Sequence, residues 1–174
     1  MRVCFHGAES TGKSSLAKRL AAEWKCPLVG EYGRTYAETI DTNFRLADLT
    51  AIAAKQNRMM REACAGRPPL VLLDTDPLMT AAWAEMLFGN APSVLFGYDK
   101  AELYLLFEPD VPFVEDGTRF FGGETERARF AALAEDMLVR AGVDFVRIGG
   151  PWQKREEKAR AAIATARLKH RVDL

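Results

Sequence analysis

A three-layer α/β fold, with a five-stranded parallel sheet flanked by helices, is what the sequence predicts. Short apolar runs alternate with longer segments of helical periodicity, as they do where parallel strands are joined by helical crossovers. Val71-Leu72-Leu73 and Leu103-Tyr104-Leu105-Leu106-Phe107 are continuously apolar, the pattern of strands covered on both faces. The first apolar run leads through a glycine-bounded turn directly into a helical segment.

In chain order, strands are expected at about 2–6, 27–30, 70–74, 102–107 and 143–148. Helices are expected at about 13–25, 45–65, 76–88, 124–141 and 152–169. In the second helix Leu46, Leu49, Ile52, Ala53, Gln56 and Met60 share one face, and Gln56 is its polar exception. Pro68-Pro69, Gly89, Pro92 and Pro109 to Pro112 fall at element boundaries. With no repeat, linker or low-complexity stretch, residues 1–174 are expected to form one domain. The long connection at about 108–123 has the length of a functional loop, and is expected to act as a lid.

Lysine plus arginine equals aspartate plus glutamate at 24 each, so no global positive field exists to hold a nucleic acid or an anionic membrane. Any phosphate site must be local. Cys4, Cys26 and Cys64 suit neither a disulfide framework nor a zinc site, and no stretch approaches the roughly 18 apolar residues of a membrane helix. A cytoplasmic protein is expected.

Gly7-Ala8-Glu9-Ser10-Thr11-Gly12-Lys13-Ser14 matches G-x-x-x-x-G-K-[ST] between a strand and a helix. In such a loop backbone N–H groups and the helix N-terminus face phosphate oxygens, and Lys13 bridges the β- and γ-phosphates of ATP. The Ser14 hydroxyl is the expected Mg²⁺ ligand, with Ser15 a first-turn neighbour. The fold is therefore expected to be a P-loop kinase fold.

Asp74 ends the third strand, where a carboxylate reaches the crevice at the sheet's C-terminal edge, and is the second expected metal ligand. Asp76, before Pro77, reads equally as the cap of the following helix or as an acceptor-binding group. Glu31 follows the second strand and is the leading general base, with Asp76 the alternative. Trp83 stands two helical turns beyond Asp76, while Tyr32 and Tyr36 follow Glu31; such rings can sandwich a flat base, or else fill the core. Arg34 and Arg119 are candidate phosphate-facing cations, and Arg127 and Arg129 cannot share a helix face. His6 and His170 form no metal cluster.

The phosphate loop, Glu31-Tyr32-Gly33-Arg34-Thr35-Tyr36, Asp74-Thr75-Asp76-Pro77 with Trp83, and Asp116-Gly117-Thr118-Arg119 together resemble the nicotinamide riboside kinase domain of the NadR proteins. The resemblance spans nearly the whole chain. It implies ATP- and Mg²⁺-dependent phosphorylation of the ribose 5′-hydroxyl of a nucleoside acceptor, nicotinamide riboside. It also implies that Glu31 or Asp76 meets the ribose, that Trp83 and a nearby tyrosine clamp the nicotinamide, and that Asp116 and Arg119 belong to the lid and its substrate contacts. Gly33 and Phe113 stand where the pattern has alanine and tryptophan, departures that bear on acceptor identity. No H-x-G-H nucleotidyltransferase motif is present, so the reaction is expected to stop at the mononucleotide. Gly149-Gly150-Pro151, after the last strand, is where the resemblance implies that adenine is wrapped, and it reads equally as a bare helix entry. Another nucleoside acceptor is the nearest alternative, and a slow ATPase switch signalling to a partner is a more distant one.

Overall fold

The computed structural model of the chain describes residues 1–39, 43–114 and 123–172. Its strands are β1 (Arg2–Gly7), β2 (Leu28–Val29), β3 (Val71–Asp74), β4 (Leu103–Phe107) and β5 (Phe145–Ile148). All pair in parallel, in the order β2-β3-β1-β4-β5. The helices are α1 (Lys13–Trp24), α2 (Tyr32–Thr39), α3 (Leu46–Cys64), α4 (Pro77–Phe88), α5 (Glu124–Arg140) and α6 (Trp152–Val172).

Each expected strand and helix is present. Helix α2 and a 3₁₀ turn at Ser93–Gly97 were not anticipated. Helix α2 has only eight residues and buries none fully, so its half-buried face of Tyr32, Gly33, Tyr36 and Ala37 spans too few turns to stand out in sequence.

Alternation along the strands sorts the core onto the two faces of the sheet. Cys4, Val71, Leu73, Tyr104 and Leu106 pack with α3, α4 and α5 through Ile52, Met60, Leu78, Phe130 and Met137. Val3, Phe5, Leu72, Leu105 and Phe107 pack with α1 and α6 through Leu16, Leu20, Ala159 and Ile163. Helices on both faces leave the C-terminal strand ends as the free edge, and there β1, β2 and β3 deliver Gly7, Glu31 and Asp74. No helix among the described residues is long and apolar enough to cross a membrane.

Candidate active site

The loop after β1 is shaped by two glycines at positive φ. Gly7 has φ 121° and a Cβ there would lie 2.4 Å from the Phe107 carbonyl oxygen; Gly12 has φ 85° and its Cβ would enter the Trp152 ring at 2.6 Å. Only glycine fits either place. Ser10 is also left-handed, at φ 57°. Its geometry is secured from outside: Val114 N–H donates to its Oγ at 2.7 Å, and buried Arg127 donates to its carbonyl at 3.3 Å and to that of Val111 at 2.6 Å. Thr11 Oγ1 and Lys13 Nζ both donate to the Ala8 carbonyl, at 2.9 and 2.6 Å. The loop therefore arrives with its carbonyls satisfied by protein donors, and the first-turn amides of α1 remain for an anion. Gly7, Glu9, Ser10, Thr11, Gly12, Lys13, Ser14 and Ser15 line a polar cavity of about 480 Å³, and Ala8 is buried beneath it.

Three carboxylates, Glu9, Glu31 and Asp74, act electrostatically on Lys13. Burial lowers the Lys13 ammonium below its ordinary value, an effect the three acids oppose and Arg34 reinforces. Glu31 is pushed up to about 7, chiefly by burial and then by Asp74, against the pull of Lys13 and Arg34. Arg34 Nε lies 3.8 Å from its carboxylate. Three acids against two cations suit a divalent cation, and a polyphosphate is accommodated there only together with such a cation. Asp74 Oδ1 is buried without a hydrogen-bond partner among the described residues. A buried carboxylate oxygen left in that state is suited to a metal ion. The residue after it, Thr75, holds φ 73°, a strained value for a β-branched side chain at the lip of the site.

Beyond the phosphate loop a second recess of about 590 Å³ is lined by apolar and aromatic groups, among them Phe44, Leu49, Ile52, Met79 and Trp83. The two cavities share Glu9, Glu31, Arg34, Thr75, Met79 and Trp83. Trp83 is held by Phe130, with ring centroids 4.9 Å apart.

The family model described as an AAA domain matches residues 2–155. The chain belongs to this AAA domain family of P-loop proteins. Among curated proteins it is similar to the trifunctional NAD biosynthesis/regulator protein NadR of Escherichia coli K12, at 29% identity over 153 residues. That alignment takes in 84% of the chain and 37% of NadR. The NadR of Salmonella typhimurium LT2 matches equally, so the chain spans well under half the length of these relatives. A solved NadR protein in complex with NR superposes with a TM-score of 0.80 at 24% identity, covering 95% of this chain and 51% of that one. A thymidylate kinase from Ehrlichia chaffeensis follows at 0.69 and 12%, covering 94% and 98%. These establish the fold.

Within this AAA domain framework, the structure brings Lys13, Ser14, Glu31, Arg34 and Trp83 to the cavities at one edge of the sheet, with Trp83, Glu31 and Arg34 on both, while Asp74 is buried at the end of β3 and lines neither. Asp76 is different. It caps α4, accepting from Leu78 N–H at 3.0 Å, and its other oxygen accepts from the Tyr104 hydroxyl at 2.5 Å; it is 1% exposed and lines neither cavity. Of the two readings of Asp76, the structure displays the cap. The two tyrosines are displaced as well. Tyr36 donates to Asp48 Oδ1 at 3.1 Å, and neither Tyr32 nor Tyr36 is among the recess-lining groups. Their place at the recess is taken by Phe44, whose ring centroid lies 6.0 Å from that of Tyr36. Gly33 lines the recess, and a Cβ there would meet Ile52 at an ordinary 3.7 Å, so the departure from alanine costs little shape. Phe113 lies under Arg127 at 5.8 Å. Arg127 is buried and Arg129 exposed, in keeping with their separate helix faces. Asp116 and Arg119 lie outside the described residues.

Proposed function

We propose that the chain is a kinase that uses ATP and Mg²⁺ to phosphorylate the 5′-hydroxyl of a nucleoside, with nicotinamide riboside as the acceptor and nicotinamide mononucleotide as the product. One observation carries this reading: a polar phosphate cavity adjoins an aromatic recess, and Glu31 stands on the wall common to both. A triphosphate in the first and a nucleoside in the second place the acceptor hydroxyl between the γ-phosphorus and a carboxylate.

In this arrangement the acceptor oxygen forms a bond to the γ-phosphorus while the bond to the β–γ bridging oxygen breaks, releasing ADP. The hydroxyl proton passes to Glu31 Oε. With a value pushed up to about 7, Glu31 is half-charged near neutrality and accepts that proton without a large penalty. Lys13 offsets the charge carried by the β- and γ-phosphate oxygens. Ser14 and Asp74 are the residues that would hold Mg²⁺, which when bound screens the charge of the triphosphate. Trp83 offers its face to the base, and a pyridinium ring gains from that face beyond the area it buries. By the resemblance, Arg119 and Asp116, both outside the described residues, would supply a guanidinium for the transferring group and a carboxylate for the acceptor. Support for nicotinamide riboside rather than another nucleoside comes from the likeness to NadR and from the NR named in the matched complex.

A panel of nucleosides incubated with Mg²⁺-ATP, read by ADP release and by product mass, tests the proposal. The expected result is ADP release dependent on nicotinamide riboside, with a product heavier by one phosphate. Slow ADP release indifferent to every nucleoside overturns it.

A further inference from the structure

Gln56 is the single polar side chain on the apolar stripe of α3 marked out in the sequence, and it is 2% exposed. Both ends of its amide are used. Gln56 Oε1 accepts from the backbone N–H of Tyr32 at 2.8 Å, and Gln56 Nε2 donates to the backbone carbonyl of Gly30 at 3.1 Å. Those partners flank Glu31 on either side. An N–H can only donate and a carbonyl can only accept, so the orientation of the amide is fixed by its surroundings.

Glu31 sits between a two-residue strand and the first turn of α2, an eight-residue helix that buries no residue fully and rests on the core through half-buried Tyr32 and Tyr36. Both neighbours are short elements. Strand β2 pairs with β3 through only Leu28 and Val29, and the sheet hydrogen bonding ends before Glu31 is reached. What holds the turn is the side chain of a residue 25 positions on in sequence, carried by a 19-residue helix that packs its apolar stripe into the core. Resting on the reading of Glu31 as general base, we propose that Gln56 is the positioning residue for it, clamping the backbone on both sides so that the carboxylate stays on the wall shared by the two cavities. Small displacements of a catalytic group cost large factors in rate, so a buried amide at the recess wall whose hydrogen bonds to Gly30 and Tyr32 both hold this turn has a kinetic consequence. Burying an amide at the centre of an otherwise apolar stripe is costly unless its bonds are made, and here both go to one turn.

The test is a double-mutant cycle on kcat with nicotinamide riboside and Mg²⁺-ATP, using Gln56→Met, Glu31→Gln and the pair. Gln56→Met is expected to lower kcat about 10- to 100-fold, with the KM for ATP unchanged within about twofold. In the Glu31→Gln background the same substitution is expected to lower kcat less than about threefold, because the group it positions is already gone. Gln56→Glu keeps the acceptor for Tyr32 and, as a neutral carboxylic acid, a donor for Gly30. It is expected to retain more kcat than Gln56→Met, and it serves as the reporting variant if Gln56→Met fails to fold. Equal losses of kcat from Gln56→Met with and without Glu31, or wild-type kcat in Gln56→Met beside a slow Glu31→Gln, overturn the proposal while leaving the base assignment standing. Wild-type kcat in Glu31→Gln, or no nucleoside-dependent turnover by the unmodified chain, overturns the base reading and this inference with it.

Discussion

Arg155 of α6 donates to the carbonyl oxygen of Thr11, 144 residues away in sequence, at 3.3 Å. The same guanidinium donates to the carbonyls of Gly150, Ile148 and Glu108 at 2.7, 3.3 and 3.1 Å and to the Asp110 carboxylate, and the residue is 1% exposed. One planar cation thus ties the phosphate loop, the turn after β5 and the exit of β4 together. Lysine has neither the number of donors nor the plane to do so. Arg155→Lys is expected to lose about 2 kcal/mol of stability, a fall in Tm of about 4–8 °C, because several buried carbonyls lose their donors together. Its KM for ATP should rise about tenfold with the acceptor KM little changed. Thermal unfolding and steady-state kinetics check both, and an unaltered KM for ATP means the tie does not organise the nucleotide side.

The protonation of Glu31 gives a pH dependence with a defined sign. Its folded value, pushed up to about 7, lies above its ordinary 4.5. A general base works only when deprotonated, so kcat is expected to fall on the acid side of about pH 7. For stability the sign is opposite. Between about 4.5 and 7 the folded chain binds more protons at this site than the unfolded chain, so stability falls as pH rises across that window. Glu31→Gln removes the effect and is expected to be more stable than the wild type at pH 8 by about 2 kcal/mol, while turning over far more slowly. Urea unfolding at pH 5 and pH 8 measures the difference; a mutant that loses stability at pH 8 contradicts the assigned environment.

Lys13 sits among Glu9, Glu31 and Asp74, so replacing it leaves three acids facing one another near Arg34. Lys13→Met is expected to lower kcat by about 10²- to 10³-fold by removing a preorganised charge from the phosphoryl group. Circular dichroism should show the fold retained. Near-normal turnover would place the phosphates elsewhere.

Trp83 and Phe44 tell how an aromatic recess recognises a base. Trp83→Leu keeps apolar bulk against Phe130 but removes the larger π face. A pyridinium nucleoside is expected to lose about 5- to 30-fold in affinity, corresponding to about 1–2 kcal/mol of cation–π attraction, whereas a neutral nucleoside loses less. Parallel KM measurements on nicotinamide riboside and a neutral purine nucleoside read the contrast. Equal losses on both would mean that Trp83 supplies area alone.

Much of this arrangement was legible in the residues. The phosphate loop announces itself because its glycines are demanded by backbone sterics, as Gly7 and Gly12 show. Strands β3 and β4 were visible as continuous apolar runs because helices cover both their faces. Helix α2 was not, since two turns with a half-buried face of Tyr32, Gly33, Tyr36 and Ala37 are too short for a periodic signal. Missing it also misplaced Tyr36: once residues 32–39 wind into a helix, that side chain meets Asp48 of α3. Phe44 could not be found from periodicity, because it precedes α3 in a connection without a repeat. Gln56 did leave a signal, a polar residue on an apolar stripe, but its bonds to Gly30 and Tyr32 are tertiary and have no sequence spacing to betray them.

Asp76 separates a structural carboxylate from a chemical one. Burial pushes it up to about 6, although the Tyr104 hydroxyl, then the Leu78 amide, pull it down. It shares the interior with Cys4 and His6: their ligand-type atoms lie within 4.8 Å of one another, and burial holds His6 down to about 3, as a neutral ring. Asp76→Asn retains an oxygen to cap Leu78 and a polar partner for Tyr104, so it is expected to cost about 1 kcal/mol and leave kcat within about threefold of wild type. Asp76→Ala removes the cap and leaves the buried Tyr104 O–H without its acceptor, although its oxygen still accepts from Ala101 N–H, and is expected to cost about 3 kcal/mol. Activity per folded molecule should survive both. A loss of kcat in Asp76→Asn comparable to that in Glu31→Gln, at undiminished stability, would move the base from the turn after β2 to the start of α4.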